Sequence, residues 1–223
     1  MRTEYLYCPL DLNVNKPGFS MEEIKSVIFD WGGVLINDPA PGLMQYCARA
    51  LGVSKEDYTK AHNAFAPDFQ KNLFSEEVFW ERICGVLNVP RPQVRSLWSE
   101  AFRAIYVPKE EMLSLAASLK RNGYKTALLS NTEAPARQHY SSFGYDMFDV
   151  PVFSCAEGAR KPERRIYELT VERLGCRPEQ SVFIDDSLEY INGAKQAGLK
   201  TILFEKIDQC KKALIEFGVE WTK

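Results

Sequence analysis

Short apolar runs that alternate with amphipathic segments constrain the fold of this 223-residue chain most strongly. Four such runs lie at residues 27–29, 126–129, 181–184 and 201–204, and a weaker one lies at residues 150–153. Short, continuously apolar runs are typical of strands that are buried on both faces. Because strands that alternate with helices form βαβ units, the pattern predicts an α/β fold with a three-layer core around a parallel sheet.

Amphipathic helical patterns fill the spaces between these runs. In the second half of the chain, helices are predicted at residues 108–122, 164–174 and 189–197, and a glycine follows each of them. No strong strand pattern occurs between residues 41 and 107, where helices are predicted at residues 43–51, 55–65, 76–87 and 93–106. We therefore predict an irregular lead-in (residues 1–20), a core domain (residues 21–40 and 108–223) and an inserted helical cap domain (residues 41–107).

The composition excludes several classes of partner. A net charge of −2 gives no electrostatic reason to expect nucleic acid or an anionic membrane as a partner. We expect no membrane segment and no signal peptide, since no apolar run approaches the roughly 20 residues that a membrane helix needs. The six cysteines are scattered singly and form no CxxC pair, which favours reduced thiols and a cytoplasmic location. Either a monomer or a homodimer is compatible with the sequence.

Polar residues that can bind a metal ion or a phosphate group follow the predicted strands or begin a predicted helix. They are Asp30, Ser130-Asn131, Lys161 and Asp185-Asp186. Each alone could simply end a strand or cap a helix, but right-handed crossovers would bring all of them to one edge of a parallel sheet. Several carboxylates at one point need a cation, and oxygen ligands favour Mg²⁺. The set therefore predicts a magnesium–phosphate site in which Asp30 attacks phosphorus.

These motifs resemble those of the haloacid dehalogenase-like hydrolase superfamily, whose members share a Rossmann-like core and, in one group, an inserted helical cap. The resemblance covers roughly residues 24–204 and is strongest to sugar-phosphate phosphatases and to the phosphatase domain of soluble epoxide hydrolase. The matching stretches are residues 29–35, residues 129–132, residues 160–163 with Ile166-Tyr167, and residues 183–186 with Asn192-Gly193-Ala194.

The resemblance implies a role for each matching residue. Asp30 is implied as the nucleophile, and Lys161 as a catalytic cation. The implied metal ligands, for Mg²⁺ as cofactor, are Asp30, Asp186, Asp185 and the backbone carbonyl of Gly32. The implied phosphate-binding groups are Ser130, Asn131, Lys161 and the backbone amides of Trp31 and Gly32.

Two positions depart from the family pattern. Gly32 stands where the family usually has an aspartate that protonates the leaving group, and Tyr190 stands where aspartate or asparagine is usual. General acid–base catalysis is typically worth about 10²–10⁴-fold. We therefore expect slower turnover that favours good leaving groups, such as an anomeric sugar phosphate, an acyl phosphate or an aryl phosphate. The residues considered as replacements for the missing acid are Asn37, Asp38, Glu133 and His62.

The sequence thus predicts a Mg²⁺-dependent phosphomonoester hydrolase that acts on a small phosphorylated metabolite through an aspartyl-phosphate. Two alternatives stay open: a 2-haloacid dehalogenase-like hydrolase, which Asp185-Asp186 disfavours, and a catalytically impaired binding or regulatory protein, which Gly32 and Tyr190 make credible. Specificity is expected to reside in the cap. The cap residues that could face the site are His62, Phe65, Phe69, Lys71, Phe74, Trp80 and Arg82. The spacing of the aromatic residues among them favours helix core over the site.

Overall fold

The computed structural model describes residues 22–221, and its centre is a five-stranded parallel sheet. The strands are β1 (Ser26–Phe29), β2 (Lys125–Ser130), β3 (Val150–Phe153), β4 (Ser181–Asp185) and β5 (Lys200–Leu203). They lie in the order β3-β2-β1-β4-β5, and every neighbouring pair is parallel. All five predicted strands are therefore present, including the weak one.

Ten helices surround the sheet within the described residues. They are α1 (Ala40–Leu51), α2 (Lys55–Gln70), α3 (Glu76–Leu87), α4 (Leu97–Ile105), α5 (Glu110–Arg121), α6 (Ala134–Arg137), α7 (Ser154–Glu157), α8 (Arg164–Leu174), α9 (Leu188–Gln196) and α10 (Ile207–Glu216). Short 3₁₀ turns lie at Tyr140–Ser142 and Pro178–Gln180. The sequence pattern did not predict α6, α7 or α10.

Three predicted helix boundaries in the cap were wrong by three residues or more, and one of them is the start of α1 at Ala40 and not at residue 43. Helix α4 begins at Leu97 and not at residue 93, because the Ser96 hydroxyl accepts a hydrogen bond from the Ser99 N–H at 3.1 Å and so caps the helix. Helix α2 ends at Gln70 and not at residue 65, since the helix continues through Pro67. A proline removes one hydrogen-bond donor, and packing of the flanking turns against the protein offsets that loss.

The core lies on both faces of the sheet, which confirms the three-layer architecture. Val27 and Phe29 point to one buried cluster, and Ile28 points to the other. The first cluster also contains buried residues of α5 and α10 and extends into helices α1–α4, whereas the second contains residues of α8 and α9. Helices α1–α4 follow β1, as expected of an inserted cap, but the domain boundaries themselves stay a prediction.

The strand register brings the ends of β1, β2 and β4 to one edge. Phe29 pairs with Leu128 on one side and with Ile184 on the other. The Asp30 N–H donates to the Ile184 carbonyl at 2.9 Å, so Asp30 lies beside the last residue of β4, Asp185. This edge therefore carries the side chains that the sequence singled out.

Two sequence expectations concern features away from this edge. Cys47, Cys84, Cys155 and Cys210 are buried free thiols and Cys176 is a half-buried one, while Cys8 and the predicted lead-in lie outside the described residues. Among the helices of residues 22–221, none combines the length and the apolar character that crossing a membrane requires.

Candidate active site

A buried lysine between two carboxylates forms the centre of the candidate site. The Lys161 Nζ lies 2.5 Å from Asp30 Oδ1 and 2.6 Å from Asp185 Oδ2. Lys161 is only 1% exposed, and both aspartates are buried. A buried charge is tolerated when it is paired and hydrogen-bonded. The structure therefore brings together three residues that the sequence predicted as one site.

Asp186 completes a group of three carboxylates at this edge. Ligand atoms of Asp30, Asp185 and Asp186 all lie within 4.8 Å of one another. Lys161 pairs with two of these groups and offsets one of their three negative charges. An all-oxygen donor set with excess negative charge fits a hard divalent cation such as Mg²⁺.

Asp185 and Asp186 differ in how far their oxygens are already engaged. Asp185 Oδ2 binds Lys161, and Asp185 Oδ1 accepts the Ser187 N–H at 2.8 Å. Asp186, by contrast, is exposed at the edge of the sheet. Both Asp185 oxygens are therefore engaged by donors of the protein, whereas the Asp186 side chain is accessible at the site.

The electrostatics of the site show the same crowding of charge. Burial raises the pKa of Asp30, Lys161 lowers it, and Asp185 raises it further, so the pKa lies well above the ordinary range of an aspartate. Burial and Asp185 also raise the pKa of Asp186. Burial lowers the pKa of Lys161, but the two aspartates outweigh burial and hold its pKa above the ordinary value. The lysine therefore stays charged.

Asn131 holds the backbone of Lys161. Its side-chain Oδ1 accepts from the Lys161 N–H at 2.8 Å, and its Nδ2 donates to the Lys161 carbonyl at 2.9 Å. Both groups of this amide are thus engaged in positioning the lysine, and a role of Asn131 in binding phosphate stays a prediction. Next to it, the Ser130 and Thr132 hydroxyls are hydrogen-bonded at 2.5 Å at the end of β2.

Gly33 gives Asp186 the space that it occupies. A Cβ atom at position 33 would lie 2.0 Å from Asp186 Oδ2, and the backbone φ of +83° is one that favours glycine. The Lys109 Nζ donates to the Gly33 carbonyl, which adds a second cation on this side of the site. The sequence did not single out Lys109, since a lone lysine in the first turn of a predicted helix carries no signal of its own.

Gly32 faces a different obstacle. A Cβ atom there would lie 2.8 Å from Pro39 Cδ and 3.3 Å from Pro39 Cγ. The Pro39 ring therefore lies too close to the position that the Cβ of an aspartate at position 32 would take. This contact gives a physical reason for the glycine at the position where the resemblance implies an acid.

Two aromatic side chains, Trp31 and Tyr190, pack beside the site. The buried Trp31 ring packs on Phe102 with ring centres 5.1 Å apart, and its Nε1 donates to the Tyr145 hydroxyl at 3.3 Å. The predicted phosphate contact of Trp31 concerns its backbone amide and stays a prediction. The Lys161 Nζ lies 4.9 Å from the centre of the Tyr190 ring. An aromatic face therefore contacts the lysine at a position where the resemblance implies aspartate or asparagine.

A cavity of about 340 Å³ extends from this edge of the sheet to the cap. Of the seven cap residues considered in the sequence analysis, only His62 lines it. Phe69 and Trp80 are buried in the cap, Lys71 pairs with Glu163 at 3.2 Å, and Arg82 lies over Phe74. Of the four residues considered as replacement acids, the cavity is lined by Asp38, Glu133 and His62.

Comparison with known proteins identifies the class of protein that this fold and site define. The model of the haloacid dehalogenase-like hydrolase family matches residues 24–198. The chain therefore belongs to the haloacid dehalogenase-like hydrolases, which confirms the resemblance stated from the sequence.

Individual relatives are similar over much of the chain. The sesquiterpene phosphatase astK of Aspergillus oryzae is 24% identical over 180 residues, which are 78% of this chain and 87% of that protein. The bifunctional epoxide hydrolase 2 of Mus musculus is 30% identical over 202 residues, which are 81% of this chain. That match spans only 36% of the epoxide hydrolase, and for another curated relative the chain spans 18% of its length.

A solved structure supports the fold. A haloacid dehalogenase family enzyme of Bacteroides thetaiotaomicron, in complex with magnesium and inorganic phosphate, superposes with a TM-score of 0.67 at 23% identity. The superposition covers 82% of this chain and 94% of that enzyme. The predicted α/β architecture is confirmed.

Removing the Lys161 cation is expected to destabilise the protein more than removing one of its anions. Lys161→Met leaves two buried carboxylates without their partner, which costs about 3–5 kcal/mol. Asp30→Asn keeps the Lys161–Asp185 pair and is expected to cost less. Urea unfolding in the presence of a chelator measures both variants. Lys71→Met removes a partly exposed ion pair as a control and is expected to cost no more than about 1 kcal/mol. An equally small cost for Lys161→Met would show that the buried pairs of Lys161 contribute little to stability.

The contact between Gly32 and Pro39 predicts a coupled pair of substitutions. Gly32→Ala drives a methyl group into the proline ring and is expected to destabilise the fold by about 1–3 kcal/mol. In the double variant with Pro39→Ala this penalty falls, and a double-mutant cycle in urea measures the coupling. Gly85→Ala is the control, since it meets nothing within 4 Å in α3 and is expected to stabilise by about 0.5–1 kcal/mol. If the changes in the free energy of unfolding at positions 32 and 39 are additive, the contact between the two residues does not account for the penalty of Gly32→Ala.

Proposed function

We propose that this protein is a Mg²⁺-dependent phosphomonoester hydrolase that acts on a small phosphorylated metabolite through an aspartyl-phosphate on Asp30. The observation that carries the proposal is the convergence of Asp30, Asp185 and Asp186 around the buried Lys161. Such a site combines a nucleophile with the charges that hold a tetrahedral anion. The phosphatase activity in the name of the Aspergillus relative, and the magnesium and phosphate bound by the Bacteroides enzyme, support it.

Each residue of the site has a proposed role in the reaction. The Lys161 Nζ donates to Asp30 Oδ1, and Asp30 lines the cavity. In the first step an Asp30 oxygen forms a bond to phosphorus while the bond between phosphorus and the alcohol oxygen breaks. Water then attacks phosphorus, and the products are inorganic phosphate and the restored Asp30 carboxylate. Ser130 and the backbone amides of Trp31 and Gly32 are proposed to donate hydrogen bonds to the phosphoryl oxygens.

The proposed Mg²⁺ ligands are carboxylates and one backbone carbonyl. Asp30, Asp186 and the Gly32 carbonyl would hold Mg²⁺, with Asp185 as a ligand or as the partner that fixes Lys161. When bound, Mg²⁺ supplies neutralisation of the charge on the transferring phosphoryl group.

The leaving alcohol must obtain its proton without an acid at position 32. Glu133 lines the cavity, but its Oε1 accepts from the Gln70 Nε2 and its Oε2 accepts from the Trp98 Nε1, both at 3.1 Å. Both Glu133 oxygens are therefore hydrogen-bonded to helices α2 and α4 of the cap.

The other two candidate acids in the cavity are no better suited. Asp38 is exposed and its Oδ1 accepts from the Ala40 N–H at 3.0 Å, and burial lowers the pKa of His62, which favours its neutral form. We therefore propose that the leaving oxygen is protonated by water, which favours alcohols that leave readily as anions.

Activity is expected to depend on Mg²⁺ and on Asp30. With phenyl phosphate, hydrolysis is expected to be lost in excess chelator, to return when Mg²⁺ is added, and to be absent in Asp30→Asn at any Mg²⁺ concentration. Release of inorganic phosphate measures all three conditions. Halide release from a 2-haloacid that persists undiminished in chelator would instead favour a dehalogenase. Tight binding of beryllium fluoride with Mg²⁺, but no turnover of any ester, would favour a binding or regulatory protein.

The missing acid predicts a steep dependence on the leaving group. Phenyl phosphate and cyclohexyl phosphate have rings of nearly the same size, but phenol is by far the more acidic alcohol. The kcat/KM for phenyl phosphate is expected to exceed that for cyclohexyl phosphate by about 100-fold or more, which is within the range that a general acid would otherwise supply. In the double variant Gly32→Asp with Pro39→Ala, the ratio is expected to shrink. Equal rates in the unmodified protein would show that another residue protonates the leaving group.

A further inference from the structure

Two loops of the core carry side chains that are proposed to bind the phosphoryl group. The 130–133 loop begins with the last residue of β2, Ser130, and the 160–163 loop precedes α8 and contains Lys161. Asn131 in the first loop is hydrogen-bonded to the backbone of Lys161 in the second. The position of one loop therefore affects the position of the other.

The last residue of α2, Gln70, bonds to both loops through its side chain. The Gln70 Nε2 donates to Glu133 Oε1, and the Gln70 Oε1 accepts from the Arg160 Nε, both at 3.1 Å. Glu133 is the last residue of the 130–133 loop, and Arg160 directly precedes Lys161. One side chain of the cap therefore connects the two loops.

The backbone at the end of α2 is held by the core as well. The last carbonyls of a helix have no partner within the helix. The Gln70 carbonyl accepts from the Ser154 Oγ at 2.7 Å, and the same hydroxyl accepts from the Thr132 N–H at 2.9 Å. Next along the chain, the Lys71 Nζ lies 3.2 Å from Glu163 Oε1. Each loop is thus joined to the end of α2 by more than one contact.

The side-chain contacts form one chain of hydrogen bonds with a fixed direction. A guanidinium group and an indole N–H can only donate. The Arg160 Nε begins the chain, and the Trp98 Nε1 ends it by donating to Glu133 Oε2 at 3.1 Å. Between these two donors, one amide and one carboxylate at positions 70 and 133 satisfy every contact, whereas two amides or two carboxylates do not.

Burial makes these contacts consequential. Trp98 is 1% exposed and Glu133 is 6% exposed. A buried polar group that loses its partner is costly, so the members of the chain stay within hydrogen-bond distance of one another. The chain of bonds therefore fixes α2 and α4 of the cap relative to the two loops.

We propose that Gln70 and Glu133 are positioning residues that hold the 130–133 and 160–163 loops in the arrangement that binds the phosphoryl group. This inference rests on the proposed phosphatase activity and concerns how the same site is formed. Through these two residues the cap shapes the phosphate site in addition to covering it.

A swap of the two side chains tests the proposal. Gln70→Glu places two carboxylates against each other, and Glu133→Gln places an amide N–H against another donor. With Mg²⁺ present, each single variant is expected to lower kcat/KM for phenyl phosphate by about tenfold or more, within the range for a buried polar group without a partner. Each is also expected to raise the inhibition constant of inorganic phosphate, which has no leaving group.

The double variant, Gln70→Glu with Glu133→Gln, restores every donor–acceptor contact in the chain. Its kcat/KM is expected to recover to within about threefold of that of the unmodified protein, and the double-mutant cycle measures the coupling. Single variants with full activity, or a double variant no more active than the less active single one, would overturn the proposal.

Gln138→Glu is the matched control. The exposed Gln138 also bonds to the cap, since its Nε2 donates to Ser99 Oγ at 2.7 Å, but it contacts neither loop. The same chemical change there is expected to alter kcat/KM by no more than about twofold. An equal loss of activity in this variant would overturn the assignment to Gln70 and Glu133.

A second ester distinguishes positioning from direct contact with the leaving group, because both Gln70 and Glu133 line the cavity. Phenyl phosphate and acetyl phosphate share the phosphoryl group but have different leaving groups. The single variants are expected to lose activity toward both by a similar factor. A loss confined to one of the two esters would show that these residues bind the leaving group, and would overturn the positioning role.

Thermal unfolding shows whether each variant folds. If Gln70→Glu does not fold, Gln70→Met removes the amide without adding a charge. It is expected to show the same loss of activity toward phenyl phosphate, and full activity would overturn the proposal.

Amide hydrogen exchange tests the positioning of the loops without any reaction. The Thr132 N–H and the Lys161 N–H, which donate to Ser154 and Asn131, are expected to exchange faster in each single variant and at the original rate in the double variant. Unchanged exchange in the single variants would overturn the proposal. If the unmodified protein hydrolyses no ester, the proposed function fails, and this measurement alone decides whether the two residues position the loops.

Discussion

The buried contact of Lys161 with Asp30 and Asp185 is the interaction on which the rest of the site depends. Lys161 lies 131 residues from Asp30 and 24 residues from Asp185 along the chain, yet both oxygens lie within 2.6 Å of its Nζ. A buried ammonium group is stable only while its partners stay in place, so this contact fixes the ends of β1 and β4 relative to the loop before α8. Surrounding features hold the same loop. Asn131 binds the Lys161 backbone, and a Cβ at Gly193 would lie 2.8 Å from Pro162 Cβ, which shows how closely α9 approaches it.

The two glycines after Asp30 show how the segment between the sheet and the cap is shaped by close contacts. Gly33 leaves room for Asp186, which is distant in sequence, whereas Gly32 leaves room for Pro39, which lies only seven residues further along the chain. Ile36 forms isolated bridges to Gly32 and to Pro108, so the entry to the cap and the exit from it meet beside the site. The loss of the acid at position 32 is therefore linked to the path that the chain takes into the cap. For the proposed phosphatase, this loss favours substrates whose alcohol leaves readily.

The fold was predictable where local pattern and burial agree. The apolar runs identified every strand, because a parallel strand covered on both faces must be apolar along its length. Helix ends were less predictable, since the start of α4 depends on the Ser96 cap and α2 continues through Pro67. Which cap residues face the site was left open by the sequence, and of the seven considered only His62 lines the cavity. Helical periodicity shows which face of a helix is apolar, but it does not show whether that face meets another helix or a cavity.

The sequence by itself determined which charged residues meet at this edge of the sheet. Asp30, Lys161 and Asp185-Asp186 could be identified because each follows a strand or opens a helix in a parallel α/β pattern, whose geometry gathers such residues at one edge. Only the tertiary structure decided which polar groups remain available. It engages Glu133 with Gln70 and Trp98, and it leaves the Nε2 of His62 without a partner. These pairings join helices of the cap to loops of the core, and the packing of distant segments, which no local pattern encodes, determines them.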